Sequence, residues 1–334
     1  KEFTPFTPEA PDFYTTDAFT DHAIEYLDQY QNETQPFLLY VAYTAPHYPL
    51  HASEADVSKY RGKYKSLGWD QLRKNRYARQ QGMNILPNGA ILSQRDSSIP
   101  AWTSIKESDT DWWDLRMATY AAMIDRMDRN IGRILEKLEE TGQADNTVIF
   151  FLSDNGACND SADRSTIKGT MPWEVTSYLT QGRPWANASN TPYRQYKTTD
   201  YEGGTRTPMI AHWPGKIARA SMTDHPGHLI DFTPTMLDLA GVEIESTLPG
   251  QSLVPVLKGK QLSRRWPLFW QFGKSQAIRD KDWKLVKHGS KDWELFNLES
   301  DPTETKDLAF RHPKKVSAMA DQWKVWWKQK SSKE

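Results

Sequence analysis

Residues 146–158, "NTVIFFLSDNGAC", decide how the chain reads. The apolar run from Val148 to Leu152 has the length and the β-branched and aromatic content of a strand covered on both faces. It runs directly into Asp154, Asn155 and Gly156. Asp-Asn-Gly is an ordinary turn sequence. It is equally a carboxylate beside an amide carbonyl, two hard oxygens suited to calcium or magnesium. Two ligands do not make a site, because calcium takes roughly six to eight oxygens, so both readings stay open here.

On the N-terminal side, residues 111–140 place Trp113, Met117, Tyr120, Ile124, Met127, Ile131, Ile134 or Leu135, and Leu138 on one helical stripe, and Gly142 is placed to end the helix. Asp114, Asp125 and Asp128 fall off that stripe and read as a solvated face. A long helix feeding a buried strand predicts an α/β fold with parallel strands. In such sheets ligands gather beyond the carboxyl ends of the strands. "PFLLYVAY", residues 36–43, is a second run of the strand type, stopped by "TAPHYPLH", where prolines forbid regular structure. His47 therefore falls just past a strand end, as do Asp154 and Asn155. Residues 16–31, with Phe19, Ala23, Tyr26, Leu27 and Tyr30 at helical spacing, predict a helix.

On the C-terminal side, residues 156–207 show no long period and are rich in Gly, Pro, Ser, Thr and Asn, a composition that in a compact domain usually marks function. The segment ends in "YKTTDYEGGTRTP", where Gly203 and Gly204 allow positive φ or a close backbone approach. "MIAHW" reads as a short strand and "DFTPTMLDLAG" as a helix. Then "PLFWQF", "SQAIRD", "WKLVKH" and "WELFNL" follow at hairpin spacing, with an amphipathic helix over 313–329. The expected organisation is an α/β domain over 1–262 and a small antiparallel sheet with a terminal helix over 263–334.

Lysine and arginine number 42 against 43 acidic residues, a net charge of -1. That balance gives no general attraction to nucleic acid or to an anionic membrane, and neither is expected as a partner. No apolar run approaches the roughly 20 residues of a bilayer-spanning helix. The single cysteine, Cys158, excludes an internal disulfide framework and a multi-cysteine zinc site. The fourteen tryptophans read mainly as core anchors. "KEFTPFTPEAPDFYTTDAF" has neither an initiating Met nor an apolar signal core, so Lys1 reads as a position inside a longer or processed protein. His47 and Lys197 are each unremarkable alone. Gathered with a cation at strand ends, they would form a compact positive pocket suited to a sulfate or phosphate ester.

"FLLYVAYTAPHYPLH", "YAAMIDRMDRNIGRIL", "TVIFFLSDNG", "YKTTDYEGGTRTPMIAHWPG", "LIDFTPTMLDLAG" and "WELFNLESDPTETKDL" occur in that order. Together they resemble the type I sulfatases, the formylglycine-dependent branch of the alkaline phosphatase superfamily. "SYLTQGRPWANASNTPYRQYK" is similar to the bacterial arylsulfatase subgroup. The resemblance implies a mainly parallel sheet flanked by helices, with Asp154 and Asn155 as two ligands of one Ca2+. It implies catalytic and substrate-binding roles for Lys197, on the sulfate group, and for His47, at the leaving-group oxygen, where a proton donor suits general acid catalysis. Glu202, Gly203, Gly204 and Arg206 read as loop architecture.

The family nucleophile is a cysteine converted to formylglycine within C-x-P-S-R, and this sequence has no such motif. Cys158 lacks the Pro, Ser and Arg of that motif and is assigned no catalytic role. The early aspartate pair of the calcium site and the G-K-W-H-like segment have no counterpart either. The chain thus resembles the C-terminal two-thirds of a sulfatase, with formylglycine and half of the calcium ligands expected upstream, and inactive alone. The missing N-terminal segment, supplied as a separate chain, is a candidate partner. The expected substrate is an aryl sulfate or a sulfated carbohydrate, and the expected location periplasmic or secreted. The alternatives are a phosphonate or phosphate ester hydrolase and a non-catalytic binder of sulfated glycans. The loop from Pro172 to Arg194, with Trp173, Arg183, Trp185 and Tyr193, reads equally as a sugar subsite or as packed loop.

Overall fold

The structure is a computed structural model and describes residues 8, 10, 12–160, 164–165 and 169–331. In chain order the helices before the first strand are α1 (Thr15–Gln29), α2 (Glu54–Ser58), α3 (Gly68–Gly82) and α4 (Glu107–Glu140). Then follow β1 (Ile149–Leu152), α5 (Gly182–Ser189), α6 (Glu202–Thr205), β2 (Met209–His212), α7 (Phe232–Leu239) and α8 (Val254–Leu257). The chain ends in β3 (Leu268–Phe272), β4 (Ser275–Asp280), β5 (Trp283–His288), β6 (Glu294–Asn297) and α9 (Pro313–Ser331). Two compact units form, each from separated stretches: residues 1–65, 110–147 and 162–180 in the first, and 66–109, 148–161 and 181–334 in the second.

In the first unit, Leu115, Ala118, Ala122 and Met123 of α4 pack on Ala45, Leu50, Ala52, Val57 and Leu179. The long helix forms as its periodicity predicts, but the buried stripe is rotated: Ala118 and Ala122 are sealed while Ile124 and Leu135 are exposed. Asp114 corrects the expectation of a solvated acid. It is fully buried, and its oxygens accept the N–H groups of Gly62 (2.8 Å), Tyr64 (3.0 Å) and Lys65 (2.9 Å) and the Arg61 guanidinium (2.5 Å). Burial is tolerated because every lone pair is used, mostly by one loop's backbone. α1 is tied to α4 where Asp17 accepts from Arg126 and from Asn130 Nδ2, the latter at 2.6 Å. Residues 36–43 do not form the expected buried strand. A ladder needs a partner's N–H and C=O groups; none of the described residues pairs with this run, and Leu38 and Tyr40 are 75% and 87% exposed.

In the second unit the strand expected from "VIFFL" is present as β1. Among the described residues its neighbour is β2, antiparallel, in register from Ile149↔His212 to Leu152↔Met209. The pair is not covered on both faces, and Phe151 and Ile210 are exposed. The four C-terminal strands form the predicted meander, β3-β4-β5-β6, all antiparallel. Successive side chains of a strand point to opposite faces, and here both faces are filled. Ile278, Leu285 and Leu295 pack against Met319, Ala320 and Trp323 of α9. Ala277, Val286 and Phe296 pack against Tyr201.

Candidate functional site

β1 delivers Asp154 and Asn155 to the start of a loop that backbone hydrogen bonds join to the segment around Lys197. Gly156 N–H donates to Gly204 O at 2.9 Å, and Lys197 N–H donates to Ala157 O at 3.1 Å. The Asp-Asn-Gly turn and the Lys197 segment are therefore tied together within the second unit. Neither Gly203 nor Gly204 has positive φ; close approach is what they provide. A Cβ on Gly156 would lie 1.8 Å from Gly203 O, and one on Gly204 would lie 1.9 Å from Thr199 O.

Asn190, at the end of α5, is the hub of this arrangement. Its Oδ1 accepts Ala157 N–H at 2.9 Å, and its Nδ2 donates to Gln195 O (3.0 Å) and Gly203 O (2.9 Å). The turn around Lys197 is strained, with Gln195 at φ 65° and the β-branched Thr198 at φ 77°, conformations that persist only where surroundings impose them. Asp96 holds the other side: its Oδ2 accepts the Tyr196 hydroxyl at 2.5 Å while its Oδ1 accepts Ser98 N–H at 2.8 Å. Burial pushes the Tyr196 hydroxyl's pKa up, and Asp96 adds to that. Burial pushes Asp96 the opposite way from its hydrogen bonds, and the bonds from Tyr196 and Ser98 prevail, leaving it below the usual carboxylate range.

The donor chemistry at 154–155 suits a hard cation. The Asp154 carboxylate is exposed and accepts no hydrogen bond from the described residues. Asn155 commits its Nδ2 to Gly156 O at 3.0 Å, which leaves Oδ1 as the available oxygen. Two such oxygens fall well short of a calcium shell, and among the described residues no cluster of three or more His, Cys, Asp or Glu could hold a metal.

His47 belongs to the first unit. It is exposed between two cis-prolyl bonds, Ala45-Pro46 and Tyr48-Pro49. Its Nδ1 lies 2.7 Å from Tyr48 O. A carbonyl can only accept, so Nδ1 carries the proton in that bond.

Cys158 contributes its carbonyl, which accepts from Gln181 Nε2 at 3.2 Å. In the loop weighed as a sugar subsite, Trp185 is fully buried against Trp69 and Trp102, with ring centroids at 5.4 and 5.9 Å; it is a core anchor. Trp173 remains exposed. The sequence reasoning passed over Asn190 and Asp96. Asp96 carried a weak signal, since "DSS" is an Asx-turn pattern, whereas nothing set Asn190 apart from its neighbouring amides.

The chain is 31% identical to the uncharacterized sulfatase PB10D8.02c of Schizosaccharomyces pombe, over 94% of this chain and 61% of that protein. It is 28% identical to the arylsulfatase of Klebsiella aerogenes, over 74% of this chain and 55% of that protein. Among solved structures, Ps i-CgsB in complex with k-i-k-neocarrahexaose superposes with a TM-score of 0.65 at 28% identity, covering 94% of this chain and 55% of that one. The chain thus spans little more than half the length of these proteins. Residues 195–328 match N-sulphoglucosamine sulphohydrolase, C-terminal. Residues 1–242, which carry His47, the Asp-Asn-Gly turn and Lys197, match the description Sulfatase, and the chain belongs to the sulfatase family.

Proposed function

We propose that the complete protein is a calcium-dependent sulfatase, converting a sulfate ester and water to the alcohol and inorganic sulfate. The observation that carries this reading is the bonding of the Asp154–Asn155 turn to the Lys197 segment, Lys197 N–H to Ala157 O at 3.1 Å. It sets a carboxylate and an amide oxygen near a lysine on backbone that cannot drift independently. Asp154 and Asn155 would contribute two ligands to Ca2+, and other groups the remainder. The bound ion would supply fixed positive charge for the sulfate oxygens, and a formylglycine outside these residues the nucleophile. Lys197 donates hydrogen bonds to a sulfate oxygen and so favours charge that grows there as the S–O bond breaks. From the family pattern, His47 gives a proton to the departing alkoxide.

Relatives named arylsulfatase and N-acetylglucosamine-6-O-sulfatase support an aryl sulfate or a sulfated carbohydrate as the substrate. The deciding assay is hydrolysis of a chromogenic aryl sulfate by the complete protein, with and without a calcium chelator, beside a Lys197→Met variant. Calcium-dependent turnover that falls about 100-fold in the variant is expected. Faster turnover of an aryl phosphonate, or saturable binding of a sulfated sugar with no product, would replace this reading.

A further inference from the structure

The inner face of the C-terminal sheet carries a residue that a core-facing strand position seldom holds. Lys284 of β5 shares that face with Val286 and is 0% exposed. Its Nζ donates to Glu202 Oε1 at 2.6 Å and lies 3.3 Å from Thr205 Oγ1. It also sits 3.2 Å from Glu304 Oε1, an ion pair without hydrogen-bond alignment. Glu304 is likewise fully buried, and its Oε2 accepts Glu202 N–H at 2.7 Å. Both ends of Glu202, the first residue of α6, are thus gripped from the C-terminal sheet and the turn after it.

The grip extends along the segment. Asp200 N–H donates to Ser275 Oγ at 3.0 Å, and the Tyr201 hydroxyl donates to Glu294 Oε1 at 2.5 Å. Arg194 reaches Glu294 Oε2 at 3.2 Å and Glu304 O at 3.1 Å. Segment 194–206 is the same one whose Gly204 O holds Gly156 and whose Lys197 amide holds Ala157. Burying these three ionisable groups costs more than an apolar contact would. What the cluster provides is direction, since each charge has its lowest energy in one arrangement only.

We infer that Lys284 is a positioning residue for the site: through Glu202 and α6 it fixes the backbone that holds Lys197 and the Asp154–Asn155 turn in mutual register. This rests on the sulfatase reading for its catalytic consequence but not for its structural content. Lys284 itself touches neither substrate nor metal in this scheme.

The test uses the complete protein in two forms. Lys284→Met alone leaves the buried Glu202 with only its 3.5 Å contact to Arg206 and Glu304 without its cation, and is prone to misfold. The double variant Lys284→Met with Glu202→Gln removes the Lys284–Glu202 ion pair and its directed contact together, and leaves in the interior the Glu304 carboxyl, whose pKa burial already raises. Amide exchange is followed residue by residue in the double variant. Exchange at Gly156 and Lys197 is expected to accelerate about tenfold or more while the β1–β2 ladder is unchanged, and kcat/KM on an aryl sulfate to fall about 100-fold, mainly in kcat. Unchanged exchange at those two amides overturns the inference, as does a folded double variant with kcat/KM within about twofold of the parent. If the parent protein hydrolyses no sulfate ester, the sulfatase reading fails, and the exchange result alone then decides the positioning role.

Discussion

The amide of Lys197 donates to the carbonyl of Ala157 at 3.1 Å, so the lysine proposed for sulfate and the turn proposed for calcium are registered by backbone. A side chain can be replaced without moving such a bond. The turn itself tolerates nothing at its glycine.

Gly156→Ala places a Cβ 1.8 Å from Gly203 O. Because the obstacle is backbone, the turn must shift, at a cost of about 1–3 kcal/mol. Gly132→Ala is the control, within α4 and with nothing inside 4 Å of the new Cβ; there helix propensity predicts a gain of about 0.5–1 kcal/mol. Opposite signs in melting temperature, with activity lost only at Gly156, are the expected outcome. Equal effects at both positions would contradict it.

Asn190→Asp keeps an acceptor for Ala157 N–H and removes both donors to Gln195 O and Gly203 O. A carboxylate then faces two carbonyl oxygens, a loss of about 2–3 kcal/mol. Urea denaturation reads this directly. A difference below about 0.5 kcal/mol would show that the hub is dispensable.

Asp200 is buried, and burial raises its pKa to about 6 despite the opposing charge of Lys284 and the bond from Ser275. The folded state therefore binds this proton more tightly than the unfolded chain, whose carboxyl titrates near 3.8. Its contribution to stability is full below that value and is lost as pH rises through about 6. Asp200→Asn fixes the uncharged form and should stabilise by up to about 3 kcal/mol at pH 8, with little effect near pH 4. Melting curves at the two pH values check this, and a pH-independent shift would refute the assignment.

Calcium at a hundred times its dissociation constant would stabilise the complete protein by about 2.7 kcal/mol. Asp154→Ala removes a carboxylate that accepts no hydrogen bond from the described residues, so its cost without calcium should be small. The expected result is a melting temperature that rises with calcium in the parent and not in the variant. An equal rise in both would place the ion elsewhere.

Much of the fold was legible because it depends on local periodicity. The helix around Met117 and Met123, the strand ending at Leu152 and the meander from Leu268 to Asn297 follow from spacing alone. The role of residues 36–43 was not, since pairing depends on what lies alongside and not on apolar content. Asp114 was misread for a related reason: a helical wheel shows which side an acid is on, but not that a loop's amides come to meet it. At the candidate site, Asp154, Asn155, Lys197 and the close approach of Gly203 and Gly204 could be anticipated from "SDNG" and "YKTTDYEGG". The supports could not. Asp96 and Glu304 act through contacts about a hundred residues away in sequence, which the Asx-turn pattern at Asp96 does not foretell, and no local pattern marks Asn190 or Glu304.

Lys284 and Glu202 meet although they are 82 positions apart in sequence, and their neighbours Ser275 and Glu294 are matched to Asp200, Tyr201 and Arg194 in the same way. This limits how the sequence can be recombined. A chimera that takes residues 263–334 from a relative imports one half of a charge code, and it will function only if the segment 194–206 is exchanged with it.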